Sequence, residues 1–309
     1  VAGPSLPRLG VLFAPDPVSG FDLPGLAARA ARAEALGLHR VAVSDHLVYH
    51  VPTFDPIVCL SVMAAATTTV RLASQVLVLP LRHPVQVAQS FASLDVLSAG
   101  RIELGVGVGG EWPHEYAAVG IDPHTRGQRA DEGLSVIKAL WDGEPVSFSG
   151  RHFHLDGVRL GLRPVQPGHP PIVVGGRSEA ALARAARCGD RWDGIFFDPV
   201  TYRRRAARLR QLADEAGRPV GTGLVVWGCI GSSRPEARNR IASTLERFYH
   251  LPFERFARSA LWGTLEDCRA RLEELAEAGA SDVSVIPVGD LDEELEALGS
   301  LCATGALTS

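Results

Sequence analysis

The chain has 309 residues, 46% hydrophobic and 21% charged, with 31 lysines and arginines against 35 aspartates and glutamates for a formal net charge of −4. That balance excludes an intrinsically disordered chain and carries no electrostatic footprint for nucleic acid. No apolar run reaches the roughly 18 residues that a membrane span needs. At about 150 residues per domain the length allows two domains, or a single α/β barrel with insertions. Cys59, Cys188, Cys229, Cys268 and Cys302 are scattered without metal-ligand spacing, and the first residues lack the charged-then-apolar layout of a secretory signal. Both features point to a reduced, cytosolic compartment.

Short β-branched runs alternate with Ala/Leu/Arg-rich segments at helical spacing, the pattern of βα units and a parallel sheet. The runs predict strands at residues 9–13, 40–44, 71–78, 101–106, 172–174, 194–197, 223–227 and 282–286. Most starts lie about 22 to 31 residues apart, near the length of one βα unit. The first helix is expected to open at Asp22 as N-cap with Pro24 in its first turn, and to stop before Gly37. The third should run from Pro84 to just before Gly100, with Ala88, Phe91, Leu94 and Leu97 on one face. The last long helix before strand 8 starts with Thr264 and Asp267 as a capping box.

Eight βα units favour a closed (β/α)8 TIM barrel over an open doubly wound sheet. The whole chain, residues 1–309, then reads as one domain. An insertion, residues 110–171, follows strand 4 and holds a helix (129–140) and a hairpin whose strands, 146–148 and 152–155, flank Ser149 and Gly150. A second long segment separates strands 7 and 8.

A barrel puts its chemistry at the C-terminal ends of its strands. Strand 2 ends Val43-Ser44-Asp45-His46, an acid beside an imidazole that titrates near neutrality. Asp45 as a loop cap and His46 as a half-buried side chain is the plainer alternative. Ser74 and Gln75 are polar within the apolar run of strand 3 and must find partners in the protein or in a ligand. Strand 4 ends in Gly105-Val-Gly107-Val-Gly-Gly110, which spells G-x-G-x-x-G. Trp112 and Pro113 follow too closely for a dinucleotide fingerprint. Backbone without side chains would instead let a planar ligand lie near the strand end.

Strand 5 ends Gly175-Gly176-Arg177-Ser178 before a helix, a cradle for a phosphate at a helix N-terminus. A bare turn is the alternative. His152-Phe-His154 would share one strand face, but it lies in the insertion hairpin and is not read as a metal site. The arginines of residues 203–210 interleave with Ala and Leu and read as a solvated helix face.

At these residues the sequence resembles the luciferase-like flavin/deazaflavin oxidoreductase family, and most closely its branch of probable coenzyme F420-dependent oxidoreductases. The resemblance runs in order through residues 43–46, 71–84, 93–107, 163–167, 170–182 and 189–192, nearly the whole chain. It implies a (β/α)8 barrel, a homodimer, and a deazaflavin or flavin ring at the C-terminal mouth. It implies a non-proline cis peptide at the position matching Ser74–Gln75, supporting the ring's face. Gly175 and Gly176 and their neighbours Arg177 and Ser178 match the tail-phosphate site. Asp45 and His46 match the pair beside the reactive edge, with His46 as proton donor, acceptor or polariser during hydride transfer. Gly107 would lie along the ring.

The implied reaction is hydride transfer between C5 of F420 and a small, fairly apolar organic substrate, with a separate reductase as electron source. An FMN-dependent monooxygenase fed by reduced flavin is the alternative within the family. A barrel that binds ligand without catalysis is the alternative outside it. Gly110 stands where close relatives have an aromatic residue, which widens the mouth. Glu111 is either an acid of the site or a solvated loop residue. Residues 250–262, with Phe253, Phe256 and Trp262, read as a lid over an apolar substrate or as plain packing.

Overall fold

Alternation of side chains along each strand decides what this chain puts inside and outside its sheet. The computed structural model describes residues 6–14, 23–110 and 112–305. Its strands are β1 (Arg8–Phe13), β2 (Arg40–Val43), β3 (Arg71–Ser74), β4 (Leu77–Val78), β5 (Ile102–Gly107), β6 (Val146–Ser149), β7 (His154–Val158), β8 (Ile172–Gly175), β9 (Arg191–Ile195), β10 (Gly221–Ile230), β11 (Leu261–Gly263) and β12 (Asp282–Pro287). Eight of them close a parallel barrel in the order β1-β2-β3-β5-β8-β9-β10-β12 and back to β1. The (β/α)8 TIM barrel expected from the strand count is the observed fold.

The helices are α1 (Leu23–Ala35), α2 (Pro56–Ala66), α3 (Pro84–Leu97), α4 (His114–Ala118), α5 (Arg126–Trp141), α6 (Glu179–Cys188), α7 (Pro199–Glu215), α8 (Arg234–Tyr249), α9 (Leu265–Glu277) and α10 (Leu291–Gly305). Outward strand residues such as Val11, Val41, Leu72, Leu104, Val174 and Val283 form one core with Leu26, Leu60, Phe91, Leu182 and Leu209 of the helices. Helix starts are set by side chains that satisfy orphan N–H groups. Asp55 caps α2, Ser178 caps α6 and Asp198 caps α7. Thr264 and Asp267 form the expected reciprocal box at α9. Asp22 lies outside the described residues.

Four sequence expectations need correction. Strand 3 is not continuous: it breaks between β3 and β4 at a cis peptide bond that joins Gln75 to Val76. Strand 6 is β9, at Arg191–Ile195 rather than 194–197. Its charged residues hide its strand character, and Phe196, at φ 58°, has already left the extended conformation. Leu97 is 73% exposed, whereas Ala88, Phe91 and Leu94 are buried. Nine residues at about 100° each carry Leu97 half a turn away from Ala88. In the hairpin, β7 begins at His154 and His152 lies in the turn, so the two histidines do not share a strand face. Glu132 fixes that turn by accepting the N–H groups of Arg151, His152 and Phe153.

The barrel interior is charged at one end. Inward residues of alternate strands supply Arg40, Glu103, Arg191, Asp193 and Asp282, all buried. Arg40 donates to Glu103 at 2.9 Å and to Asp282 at 3.1 Å. Arg191 donates to Glu103 at 3.1 Å and to Asp193 at 2.8 Å. Burial by itself would push Glu103 up; the Arg40 and Arg191 guanidiniums win and hold its carboxyl well below the usual range. The network ends towards the mouth, where Gln75 Nε2 donates to Asp193 Oδ2 at 2.6 Å.

Candidate active site

The glycines after strand 4 have a structural cause. A Cβ built on Gly105 would sit 2.0 Å from the Ser74 carbonyl oxygen, one on Gly107 2.6 Å from Val76 Cγ2, and one on Gly175 2.8 Å from Val76 Cγ1. No ordinary carbon contact is that short, so these positions exclude side chains because the chain around Val76 presses into the wall. Ser74 finds its partners in the same wall: its Oγ donates to Gly105 O at 2.9 Å and accepts from Gly105 N at 3.1 Å. Gln75 is oriented by Asp193 through its amide nitrogen, while its Oε1 is buried with no donor among the described residues.

Asp45 and His46 stand together at the mouth but serve different neighbours. Asp45 is 4% exposed; it accepts Val78 N at 2.8 Å and Arg82 Nη2 at 2.7 Å, which ties β2 to the segment after the cis bond. Arg82 also bridges to Asp55 at 3.0 Å. With those oxygens engaged, the Asp45 carboxylate is an anchor for the strand end. His46 is only partly buried. Its Nδ1 lies 3.3 Å from Glu115 Oε2, and its ring stacks on Tyr49 with centroids 3.7 Å apart and planes 11° from parallel.

Glu115 escaped the sequence reading. It sits on α4, inside the insertion, and is fully buried. Its second oxygen accepts Leu47 N at 2.7 Å, so one carboxylate holds both the backbone after His46 and the imidazole. A histidine at a strand end invites a search for an acidic partner. Glu111, the acid that the sequence brought forward, lies outside the described residues.

The cradle after strand 5 forms at the start of α6. Gly176 is at φ +133°, where a side chain is strained. Its N–H donates to Asp193 O at 3.2 Å, and its carbonyl accepts Trp192 Nε1 at 2.8 Å. Ser178 caps the helix by accepting Ala181 N. Arg177 is exposed, and its guanidinium lies 5.5 Å from the Phe196 ring centroid. The start of α6 thus offers N–H groups and a nearby cation to an anion. Part of the arginine face of α7 turns here: Arg208 pairs with Glu179 at 2.6 Å.

Aromatic rings form a wall above His46. The Tyr49 ring lies 6.1 Å from both Trp112 and Phe248, and His50 lies 5.1 Å from Phe248. Phe248 meets Trp227 at 5.7 Å, and Tyr249 meets Phe196 at 5.6 Å. Phe256 joins this wall through Phe196 and Tyr249. Phe253 and Trp262 do not; they pack on each other and on Arg238 and Arg234 of α8.

A family model described as luciferase-like monooxygenase matches residues 9–253. The chain belongs to that family. Among its curated relatives, an F420-dependent hydroxymycolic acid dehydrogenase of Mycobacterium tuberculosis is 33% identical over 236 residues, 72% of this chain and 63% of that protein. An uncharacterised protein of Mycobacterium tuberculosis is 36% identical over 167 residues, so the match spans 57% of its length. An F420-dependent glucose-6-phosphate dehydrogenase of Kineococcus radiotolerans is 40% identical over 185 residues, 58% of this chain and 52% of that one.

Two solved structures share the luciferase-like barrel across almost its whole length. An F420-dependent secondary alcohol dehydrogenase, in complex with an F420-acetone adduct, superposes with a TM-score of 0.86 at 21% identity, covering 96% of this chain and 98% of that one. The oxygenating constituent of a diketocamphane monooxygenase of Pseudomonas putida, in complex with FMN, gives 0.81 at 19% identity over 95% and 97%. At such identities the likeness is one of fold.

Proposed function

We propose that this luciferase-like chain is an oxidoreductase that takes coenzyme F420 and passes a hydride between it and a small, fairly apolar organic substrate. The observation that carries the reading is His46, placed just past the end of β2 with Nδ1 3.3 Å from the buried Glu115 carboxylate and its side chain still partly exposed. Relatives named as F420-dependent dehydrogenases support it.

The residues fit such a cofactor. Gly175, Gly176, Arg177 and Ser178 would hold its phosphate at the start of α6. Gln75 Oε1, buried and without a donor, is an acceptor that an N–H of the ring would satisfy. Val76, seated on Gly107 and backed by Ser74, would form the wall behind the ring, and Asp45 would hold that wall through Val78. When bound, a reduced deazaflavin supplies two electrons as hydride. His46 would give a proton to the substrate oxygen, or take one in the reverse direction. The aromatic wall would receive an apolar substrate body and keep water out.

The resemblance also supports a homodimer and a separate reductase that renews the cofactor. In line with a second copy, α2 is apolar apart from Ser61, and Val58 on its outer face is 50% exposed. Titration of the protein with F420 and with FMN tests the cofactor. Saturable F420 binding without FMN binding is expected. Oxygen consumption driven by reduced FMN would establish the monooxygenase instead, and a melting temperature that neither cofactor moves would leave only a binding barrel.

A further inference from the structure

We propose that the substrate carries its reacting carbon on a flat aromatic ring, as an aryl ketone or aryl carbinol, and that this ring lies between Phe248 on one side and Tyr49 and His50 on the other. The inference rests on the reading of the mouth as the place of hydride transfer, and names the class of substrate that the mouth takes.

The aromatic wall consists of two groups from different parts of the chain. Tyr49 and His50, between β2 and α2, have centroids 4.1 Å apart, and Trp112 of the insertion lies 5.6 Å from His50. Phe248 and Tyr249 end α8 and meet Trp227 of β10 at 5.7 and 6.0 Å. Among the described residues two ring contacts join the groups: His50 to Phe248 at 5.1 Å and Tyr49 to Phe248 at 6.1 Å. Their planes stand at 63° and 44°, so neither contact is a closed stack. His50 is exposed, and Tyr49 and Phe248 are half-buried, so this seam reaches solvent. It also lies beside His46, whose ring stacks on Tyr49.

Both sides are anchored below the rings. Thr53 Oγ1 donates to His46 O at 2.9 Å, and at the end of α8 Glu246 accepts Phe253 N at 3.0 Å. The seam therefore opens by turning its rings. Stacked carbons sit about 3.5 Å apart, so a flat ring between two others needs about 7 Å, only about 1 to 2 Å more than the seam spans. Such a ring restores on its two faces the ring contacts that its entry breaks. A saturated body is thicker and offers no π face, so it breaks them without replacement.

Two ketones of one skeleton test this: acetophenone, and cyclohexyl methyl ketone, in which the ring is saturated. Their dissociation constants are measured by saturation-transfer NMR on the protein alone and again with F420. Acetophenone is expected to bind about tenfold more tightly, the combined effect of two ring pairs. A preference below about twofold, or no saturable binding of acetophenone, overturns the proposal. Phe248→Leu and His50→Ala should each lower the preference to about threefold or less with the dissociation constant for F420 changed less than about twofold. A preference kept at its wild-type value in either variant overturns it. His50 is exposed, so its variant decides should Phe248→Leu fail to fold. Trp262, paired with Phe253 away from the seam, supplies the control: Trp262→Leu should keep the preference, and an equal fall there overturns the assignment to the seam. A failure of F420 to bind leaves the titrations of the protein alone readable, so the two readings fail separately.

Discussion

His46 and Asp45 are adjacent in sequence and opposite in employment. Asp45 spends its carboxylate on Val78 N and Arg82, both part of the wall. Among the described residues His46 is held at one ring nitrogen. Replacing His46 with Ala should therefore lower turnover by about 10²-fold or more while leaving cofactor affinity nearly intact. Steady-state kinetics beside an F420 titration checks this, and equal losses in both would reduce His46 to a wall of the cofactor site. The pair was legible because an acid and an imidazole at a strand end stand out in an apolar run. Their division of labour was not, since it depends on Arg82 and Glu115, which lie 37 and 69 positions away from the partners they touch.

At the level of elements, the glycine-rich end of strand 4 has changed meaning. Its letters suggested room for a ligand, but the room at Gly105 and Gly107 is filled by the chain between β3 and β4. Gly105→Ala would bring Cβ to 2.0 Å from the Ser74 carbonyl oxygen, a clash between parts of two barrel strands that cannot yield like the tip of a long side chain. The expected outcome is a loss of several kcal/mol, of order 3 or more, read as a lower urea midpoint or as failure to fold. Gly161→Ala, with nothing within 4 Å of its Cβ, should stay within about 0.5 kcal/mol of wild type. Equal stability of the two variants would mean that the close approach is not a constraint. The same lesson applies to β9. Periodicity finds strands by their apolar residues, and Arg191 and Asp193 are charged because they face Glu103 and Gln75 across the barrel.

For the whole molecule, the eight-unit repeat was the strongest signal, and it favoured one barrel over the two domains that length alone allowed. Hydrophobic outward faces and helix caps made that repeat readable. The charged interior was hidden, because a parallel strand buried on both faces is expected to be apolar throughout. Arg40, Glu103, Arg191 and Asp282 are tolerated there only as a paired network. Among the described residues no helix is long and apolar enough to cross a membrane. The barrel gathers His46, Gln75, Gly107 and the Gly175–Ser178 cradle at the C-terminal ends of β2, β3, β5 and β8, which is why their roles are proposed together.

The central claim is that this mouth holds F420 with His46 on the open side of its reactive carbon. A crystal structure of the complex with F420 tests it most directly. The account predicts the phosphate at Arg177 and Ser178, the ring against the wall that Val76 forms over Ser74 and Gly107, and Nε2 of His46 facing C5. A ring bound elsewhere, or His46 turned so that Nε2 meets Glu115 and Nδ1 faces the cofactor, would contradict it.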